Sequence, residues 1–335
     1  MHGSCLFSGM SSNYQQSSGK FNRRHFILAT SLLMCGMNEV AHSQTAKQNR
    51  KDKYHPLRFG APLFTKESDP EKLAQLYREE GYSAAYCPNV SINNKDAIAA
   101  YKKGFQKFNV IISEVGRWYN LLDSDSEKRK KNIQIVTEGL ALADEIGALC
   151  CVDIAGSFNP KRWDGPHPDN FSKTFFDAAV ENARKIIDGV KPVKAKFCYE
   201  MMGWSIPESP DRYLKLLKAV DRKGFGVHLD PCNLVNSPEK FYRNADLINE
   251  CFDKLGKWIV SCHGKDLFWE AEMNVHFREV IPGTGSMDYR TYLKRLAKMN
   301  PPPPLMLEHL SSAQEYNQAR QFVINTAKNL GLEFA

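Results

Sequence analysis

From residue 57 to the C-terminus the apolar positions switch repeatedly between two periods. Short runs rich in β-branched, aromatic and cysteine residues predict strands over 57–64, 83–87, 110–115, 148–154, 196–200, 225–230, 258–263 and 305–309. Between them, apolar residues spaced three and four apart predict helices over 70–80, 93–108, 128–146, 173–187, 211–222, 238–255, 287–298 and 313–329. The stretch 93–108 has the shallowest pattern, yet Ile98, Tyr101 and Phe105 still share one face. Ser68-Asp69-Pro70-Glu71, Ser209-Pro210-Asp211 and Asn236-Ser237-Pro238-Glu239 place capping side chains and proline where three of these helices begin. A helix therefore follows every strand.

Eight consecutive strand-helix units with no break in composition predict an α/β fold, a single (β/α)8 TIM barrel over 57–335. A doubly wound open sheet would carry a glycine-rich phosphate turn after its first strand, and Gly60-Ala61-Pro62 is not one. The chain also has no Walker-type loop, GxSxG elbow or HExxH pair, which removes support for nucleotide use, serine hydrolysis and zincin chemistry.

The first 43 residues read differently. Asn22-Arg23-Arg24-His25-Phe26-Ile27-Leu28 is a twin arginine before an apolar run ending near Met37, and Ala41 and Ser43 are the small residues a signal peptidase reads. This predicts a twin-arginine-type signal peptide over 1–43, a linker over 44–56, and export to the periplasm or outside the cell. The apolar run is about 12 residues, too short to span ~30 Å of hydrocarbon, so no stable membrane anchor is expected. Lipoprotein cleavage before Cys35 is disfavoured by the bulk of Met34. Beyond the leader an odd set of cysteines remains: Cys87, Cys150, Cys151, Cys198, Cys232, Cys251 and Cys262. None forms a CxxC pair and most lie in apolar runs, which predicts buried thiols rather than disulfides. The formal net charge is +7, but the basic residues form no long block, which argues against a nucleic-acid partner.

In a parallel barrel the chemistry gathers at the carboxyl ends of the strands. Here the fifth strand ends on Glu200, the sixth on Asp230, the seventh on His263 and the eighth on Glu308. One polar residue at a strand end is usually the start of a wet loop. Four in succession, each after an apolar run, are candidate ligands around one centre. Three carboxylates that close repel one another, and a cation among them removes the conflict. With one imidazole they make an oxygen-rich set suited to a single Mn²⁺, Mg²⁺ or Co²⁺, with Zn²⁺ also accommodated. The alternative is a structural hydrogen-bond network.

The order Glu, Asp, His, Glu stands in the contexts Tyr199-Glu200, His228-Leu229-Asp230-Pro231, Cys262-His263-Gly264-Lys265-Asp266 and Leu307-Glu308-His309. In this it resembles the xylose-isomerase-like TIM-barrel superfamily of sugar isomerases and epimerases, from about Leu57 to the C-terminus. The resemblance implies one divalent ion held by Glu200, Asp230, His263 and Glu308, with the two glutamates on opposite faces of a sugar. A proton on carbon beside a carbonyl is too weak an acid for an unaided carboxylate. A cation on the carbonyl and hydroxyl oxygens stabilises the enediolate charge, and Glu200 and Glu308 can then serve as catalytic base and acid.

The chain departs from the 3-epimerase branch of that superfamily at three positions. Where that branch has a histidine, a glutamate and an arginine, this chain has Asn233, Ile206 and Trp269. Asn233 still offers a donor, Glu208 lies two residues past Ile206, and Lys265 stands two residues beyond His263 on the same strand face. The expected partner is a small carbohydrate other than a simple free ketose. Export points to an unphosphorylated sugar, sugar acid or keto-glycoside. His228 is expected one layer deeper, more a core histidine than a substrate contact.

Trp118, Trp163, Trp204 and Trp269 follow strands three, four, five and seven, at the expected mouth of the barrel, where flat aromatic faces suit sugar C–H surfaces. Glu114 and Asp153 end strands three and four and are expected to be structural. Endonuclease-type members of the superfamily use three zinc ions, and Cys87-Pro88-Asn89, Glu114 and Asn233 do not supply the histidines for three sites. A sugar-binding protein without turnover and a lyase acting on a keto-sugar stay open as alternatives. The helices over 287–298 and 313–329 are candidate faces for a homo-oligomer.

Overall fold

A computed structural model describes residues 53–335. The expected leader and most of the expected linker lie outside the described residues. The elements run β1 (Phe59–Gly60), α1 (Pro70–Glu79), β2 (Ala84–Tyr86), α2 (Lys95–Lys107), β3 (Ile111–Gly116), α3 (Ser126–Ile146), β4 (Cys150–Asp153), α4 (Lys173–Val190), β5 (Lys196–Glu200) and α5 (Pro210–Val220). They continue β6 (Phe225–Leu229), α6 (Pro238–Tyr242), α7 (Asn244–Leu255), β7 (Ile259–Gly264), β8 (Asp266–Trp269), β9 (Phe277–Val280), α8 (Tyr289–Ala297), β10 (Leu305–Leu307) and α9 (Ala313–Asn329).

Strands β4 and β6 are buried along their whole length, as parallel strands covered on both faces are. One set of side chains faces the barrel axis and the alternate set meets the helices. The ladder runs β1-β10-β7-β6-β5-β4-β3-β2, every neighbour parallel. The seam between β1 and β2 is closed by Ser83 N–H donating to Phe59 O at 3.0 Å. Gly60 is required there, because a Cβ would lie 2.2 Å from Ala84 O. The result is a single (β/α)8 barrel.

The loops that leave the carboxyl ends of the strands stop at capped helices. Asp69, Ser172, Ser209, Ser237 and Ser312 each accept the backbone N–H three residues on, which satisfies a donor that the helix itself cannot. The strand ends that carry chemistry are pinned from outside. Tyr213 of α5 donates its hydroxyl to Tyr199 O at 2.7 Å and Gly226 O at 2.9 Å, tying β5 to β6. All seven described cysteines are free, and all but Cys87 are buried. No helix among the described residues is long and apolar enough to cross a membrane.

Three expectations need correction. The first strand spans two residues rather than 57–64, because Leu57 pairs with Phe334 and Pro62 has no N–H to continue the ladder. The helix expected over 238–255 is two helices that break at Arg243, where the Asn244 amide bonds Phe241 O and Ser286 O and holds the turn. The stretch after β7 is an antiparallel hairpin, β8–β9, and not an open loop. Asp266 anchors it by accepting the N–H groups of Leu267, Gly283, Gly285 and Met287.

Candidate metal centre

Four consecutive ladder positions bring Glu200, Asp230, His263 and Glu308 to one end of the barrel. One donor atom from each lies within 4.8 Å of all the others. His263 Nδ1 is 2.8 Å from Glu308 Oε1, 3.2 Å from Glu200 Oε1 and 3.9 Å from Asp230 Oδ2. Its other nitrogen, Nε2, is 3.0 Å from Glu114 Oε1, and Glu114 Oε2 accepts the Ser261 hydroxyl at 2.6 Å. Glu114 thus fixes the plane of the imidazole that presents Nδ1 to the three carboxylates.

Lys265 is the residue that the cluster places most tightly. Its ammonium donates to Asn233 Oδ1 at 2.7 Å and lies 2.9 Å from Asp230 Oδ2, 3.2 Å from Glu279 Oε1 and 3.3 Å from Glu308 Oε1. Asn233 passes this order on, its amide donating to Glu200 Oε1 at 3.2 Å and Met201 O at 3.0 Å. The Trp118 indole N–H donates to Glu200 Oε2 at 2.6 Å. Trp118 reaches it from a left-handed backbone, φ +45°, with its ring so close over Gly116 that a Cβ there would lie 2.0 Å from it.

Charge in this cluster is unevenly matched. Burial pushes Asp230 up to about 6 against the pull of Lys265. Burial works in the same sense on Glu308, but His263 and Lys265 outweigh it and lower that carboxyl to about 2. For His263 burial disfavours the charged ring, yet Glu308 and Glu114 outweigh it and hold the imidazole well above the usual histidine range. Lys265 is the buried cation among the carboxylates of Glu200, Asp230 and Glu308, while Glu114 lies against His263 and His228. Asp230 Oδ2 and Glu308 Oε1 are buried at the shared centre, where Lys265 and His263 are the charged groups that face them. Three buried carboxylates crowded on one imidazole, with more negative charge than Lys265 alone balances, fit a hard divalent cation.

Above the cluster opens a cavity of about 590 Å³. Trp118, Trp204, Asn233 and Lys265 line it together with Glu200 and Glu308, as do Tyr86, Glu279 and His309. The other expected contacts lie elsewhere. Trp163 is exposed outside the cavity wall. Alternation along β8 turns Trp269 away, and its ring packs on Phe241, Tyr242 and Phe277. Glu208 is held by Arg212 on the first turn of α5. His228 lies beneath the cluster, its ring centroid 4.0 Å from that of His263, and burial pushes it down to about 4, so it is neutral. Asp153 is also structural, accepting the N–H groups of Tyr119 and Ile154.

Sequence reasoning missed Glu279 and His309. Glu279 arrives on the hairpin, and His309 turns back over the mouth through a left-handed backbone, φ +60°. His309 directly follows Glu308, which was the available signal. Glu279 had none, since only the pairing of β8 with β9 carries it there.

A family model described as the xylose isomerase-like TIM barrel matches residues 72–326. The chain belongs to this family. No curated protein matches the chain. Among solved structures it is similar to a D-psicose 3-epimerase from Clostridium cellulolyticum crystallised with D-tagatose, at 13 % identity and TM-score 0.59 over 83 % of this chain and 99 % of that one. It is similar to a xylose isomerase-like TIM barrel protein from Mycobacterium smegmatis in complex with magnesium, at 16 % identity and TM-score 0.56 over 82 % and 97 %. Endonuclease IV from Thermus thermophilus shares the fold as well, at 12 % identity and TM-score 0.61 over 82 % and 100 %. At these identities the likeness is one of fold. In this xylose isomerase-like barrel Lys265 and Asn233 connect the ligand candidates at the mouth.

Proposed function

We propose that this protein is a divalent-metal-dependent sugar isomerase or epimerase that moves a proton beside a carbonyl, acting on an unphosphorylated carbohydrate after export through a twin-arginine-type signal. The observation that carries the reading is the pair Glu200 and Glu308, two buried carboxylates of one four-residue cluster that both face a tryptophan-lined cavity. The sugar-epimerase and magnesium-bound neighbours support it, and so does the crowding of Glu200, Asp230 and Glu308 around His263.

Glu200, Asp230, His263 and Glu308 would hold the ion. When bound, it supplies electrostatic stabilisation for the negative charge that develops on the sugar oxygens. The chain's own residues do the rest. Glu200 and Glu308 take the carbon-bound proton and return one, each acting at a carboxylate oxygen. Trp118 and Asn233 orient the Glu200 carboxylate by donating to its two oxygens. Lys265 and Asn233 offer donors to sugar hydroxyls, while Trp118 and Trp204 cover the apolar face of the ring and exclude water. Cations at the mouth are already engaged: Lys265 by Asp230, Glu279 and Glu308, and His309 by Glu279. Among the described residues that leaves Lys265 and His309 at the mouth already paired with carboxylates, which favours a neutral substrate over a phosphodiester.

The test is deuterium wash-in from D₂O over a panel of ketoses and keto-glycosides, with elemental analysis of the protein. Metal-dependent exchange at a carbon beside the carbonyl is the expected result. A bound ion with no exchange on any sugar would make the protein a binder without turnover.

Metal uptake is also expected to release protons. With its pKa held well above the usual range, His263 is protonated at neutral pH, and it must lose the Nδ1 proton to become a ligand. Affinity therefore falls as the pH falls. Calorimetric titration with Mn²⁺ in buffers of different ionisation enthalpy should report about one proton released per ion at pH 7. A buffer-independent enthalpy would mean that His263 is neutral before the ion binds or does not ligate it.

A further inference from the structure

A second space of about 520 Å³ adjoins the cavity over the cluster, between the β8–β9 hairpin and the segment after β10. The two share Lys265, Glu279, Glu308 and His309 as walls. Glu279 Oε2 and His309 Nδ1, 2.9 Å apart, form the partition common to both. His309 keeps its place with φ +60°, a left-handed conformation that a non-glycine residue rarely adopts and that persists only where its surroundings demand it.

The chemistry of this second lobe is that of a sugar subsite. Phe268, 43 % exposed, presents an aromatic face, and the Thr284 and Ser311 hydroxyls and the Glu315 carboxylate supply hydrogen-bonding edges. Its cations are already spent. Arg278 is engaged by Glu270 and by the Phe268 ring, 5.9 Å from the centroid, His309 by Glu279, and Lys265 by three carboxylates. A phosphate or other anion would find no unpaired positive charge there. A neutral, hydroxyl-rich ring finds a stacking face and polar partners.

We infer that this lobe binds a second sugar ring, so that the substrate is a ketose-containing disaccharide or a keto-glycoside. The reacting ring lies over Glu200 and Glu308, the other unit lies beside Phe268, and the glycosidic link crosses the Glu279–His309 partition. The assignment of the reacting ring rests on the isomerase reading above; the existence of the second subsite does not.

Two measurements on protein supplied with Mn²⁺ separate these claims. Calorimetry compares D-fructose with isomaltulose and lactulose, the same ketose carrying a second hexose, and deuterium wash-in follows the same sugars. The disaccharides are expected to bind about ten-fold or more tighter than fructose. Phe268→Ala, and Ser311→Trp at an exposed position that fills the lobe, should each abolish that gain and leave fructose affinity within about two-fold. Equal affinity for fructose and both disaccharides, or an equal loss on all three in the variants, overturns the second subsite. Phe268-dependent disaccharide binding with no exchange on any sugar supports the subsite and sinks the isomerase reading. Exchange on fructose with no disaccharide gain does the reverse.

Discussion

Glu308→Gln is expected to lower the sugar hydrogen exchange proposed here by about 10³-fold at saturating metal, the range for loss of a positioned general acid or base. The substitution keeps the shape of the side chain and removes only its charge and its capacity to carry a proton. His263 Nδ1, 2.8 Å from Glu308 Oε1, and Lys265 hold the group ionised down to about 2, so on this reading the native residue meets the substrate as a carboxylate. Glu200→Gln should have an effect of similar size for the same reason, with a further loss of order because Trp118 and Asn233 both donate to it. The measurement is deuterium wash-in alongside elemental analysis, so that a missing ion is not mistaken for a missing proton carrier. Exchange within about ten-fold of the wild type in both variants would reduce the two glutamates to ligands.

Asp230→Asn separates metal binding from stability. On the proposed reading Asp230 is a ligand with no proton-transfer duty, so its loss should weaken metal affinity by at least about 100-fold, as measured by calorimetry. The effect on the metal-free protein runs the other way. Burial raises this carboxyl to about 6, so the folded state binds more protons than the unfolded one between about pH 4 and 6. Stability contributed by the group is therefore lost as the pH rises through that window. The neutral amide avoids this penalty, on the order of 2–3 kcal/mol at pH 7, and the metal-free variant should melt above the metal-free wild type. Added Mn²⁺ should reverse the order by stabilising only the wild type. Equal melting of the two metal-free proteins at pH 7 would mean that Lys265 already neutralises Asp230.

Much of the candidate site was legible before any coordinates. Period changes along the chain marked the strand-helix units, and the residues that end strands five to eight are the ones that converge. Lys265 and Asn233 also met the cavity from positions counted along the chain. Of the four tryptophans expected at the mouth, Trp118 and Trp204 line it, whereas Trp163 points to solvent and Trp269 packs on α6. A loop residue's position after a strand says which end of the barrel it occupies, and does not say which way it faces.

The sequence by itself determined the barrel and the end where its chemistry lies. Alternation in a strand and helical spacing are local rules, and a parallel strand-helix repeat has few ways to close. Only the tertiary structure decided that Glu114 aims His263, that the hairpin delivers Glu279 to Lys265, and that a second space opens beside the first. Those facts depend on contacts between residues far apart in the chain, and no local period encodes the distance at which two such side chains will meet.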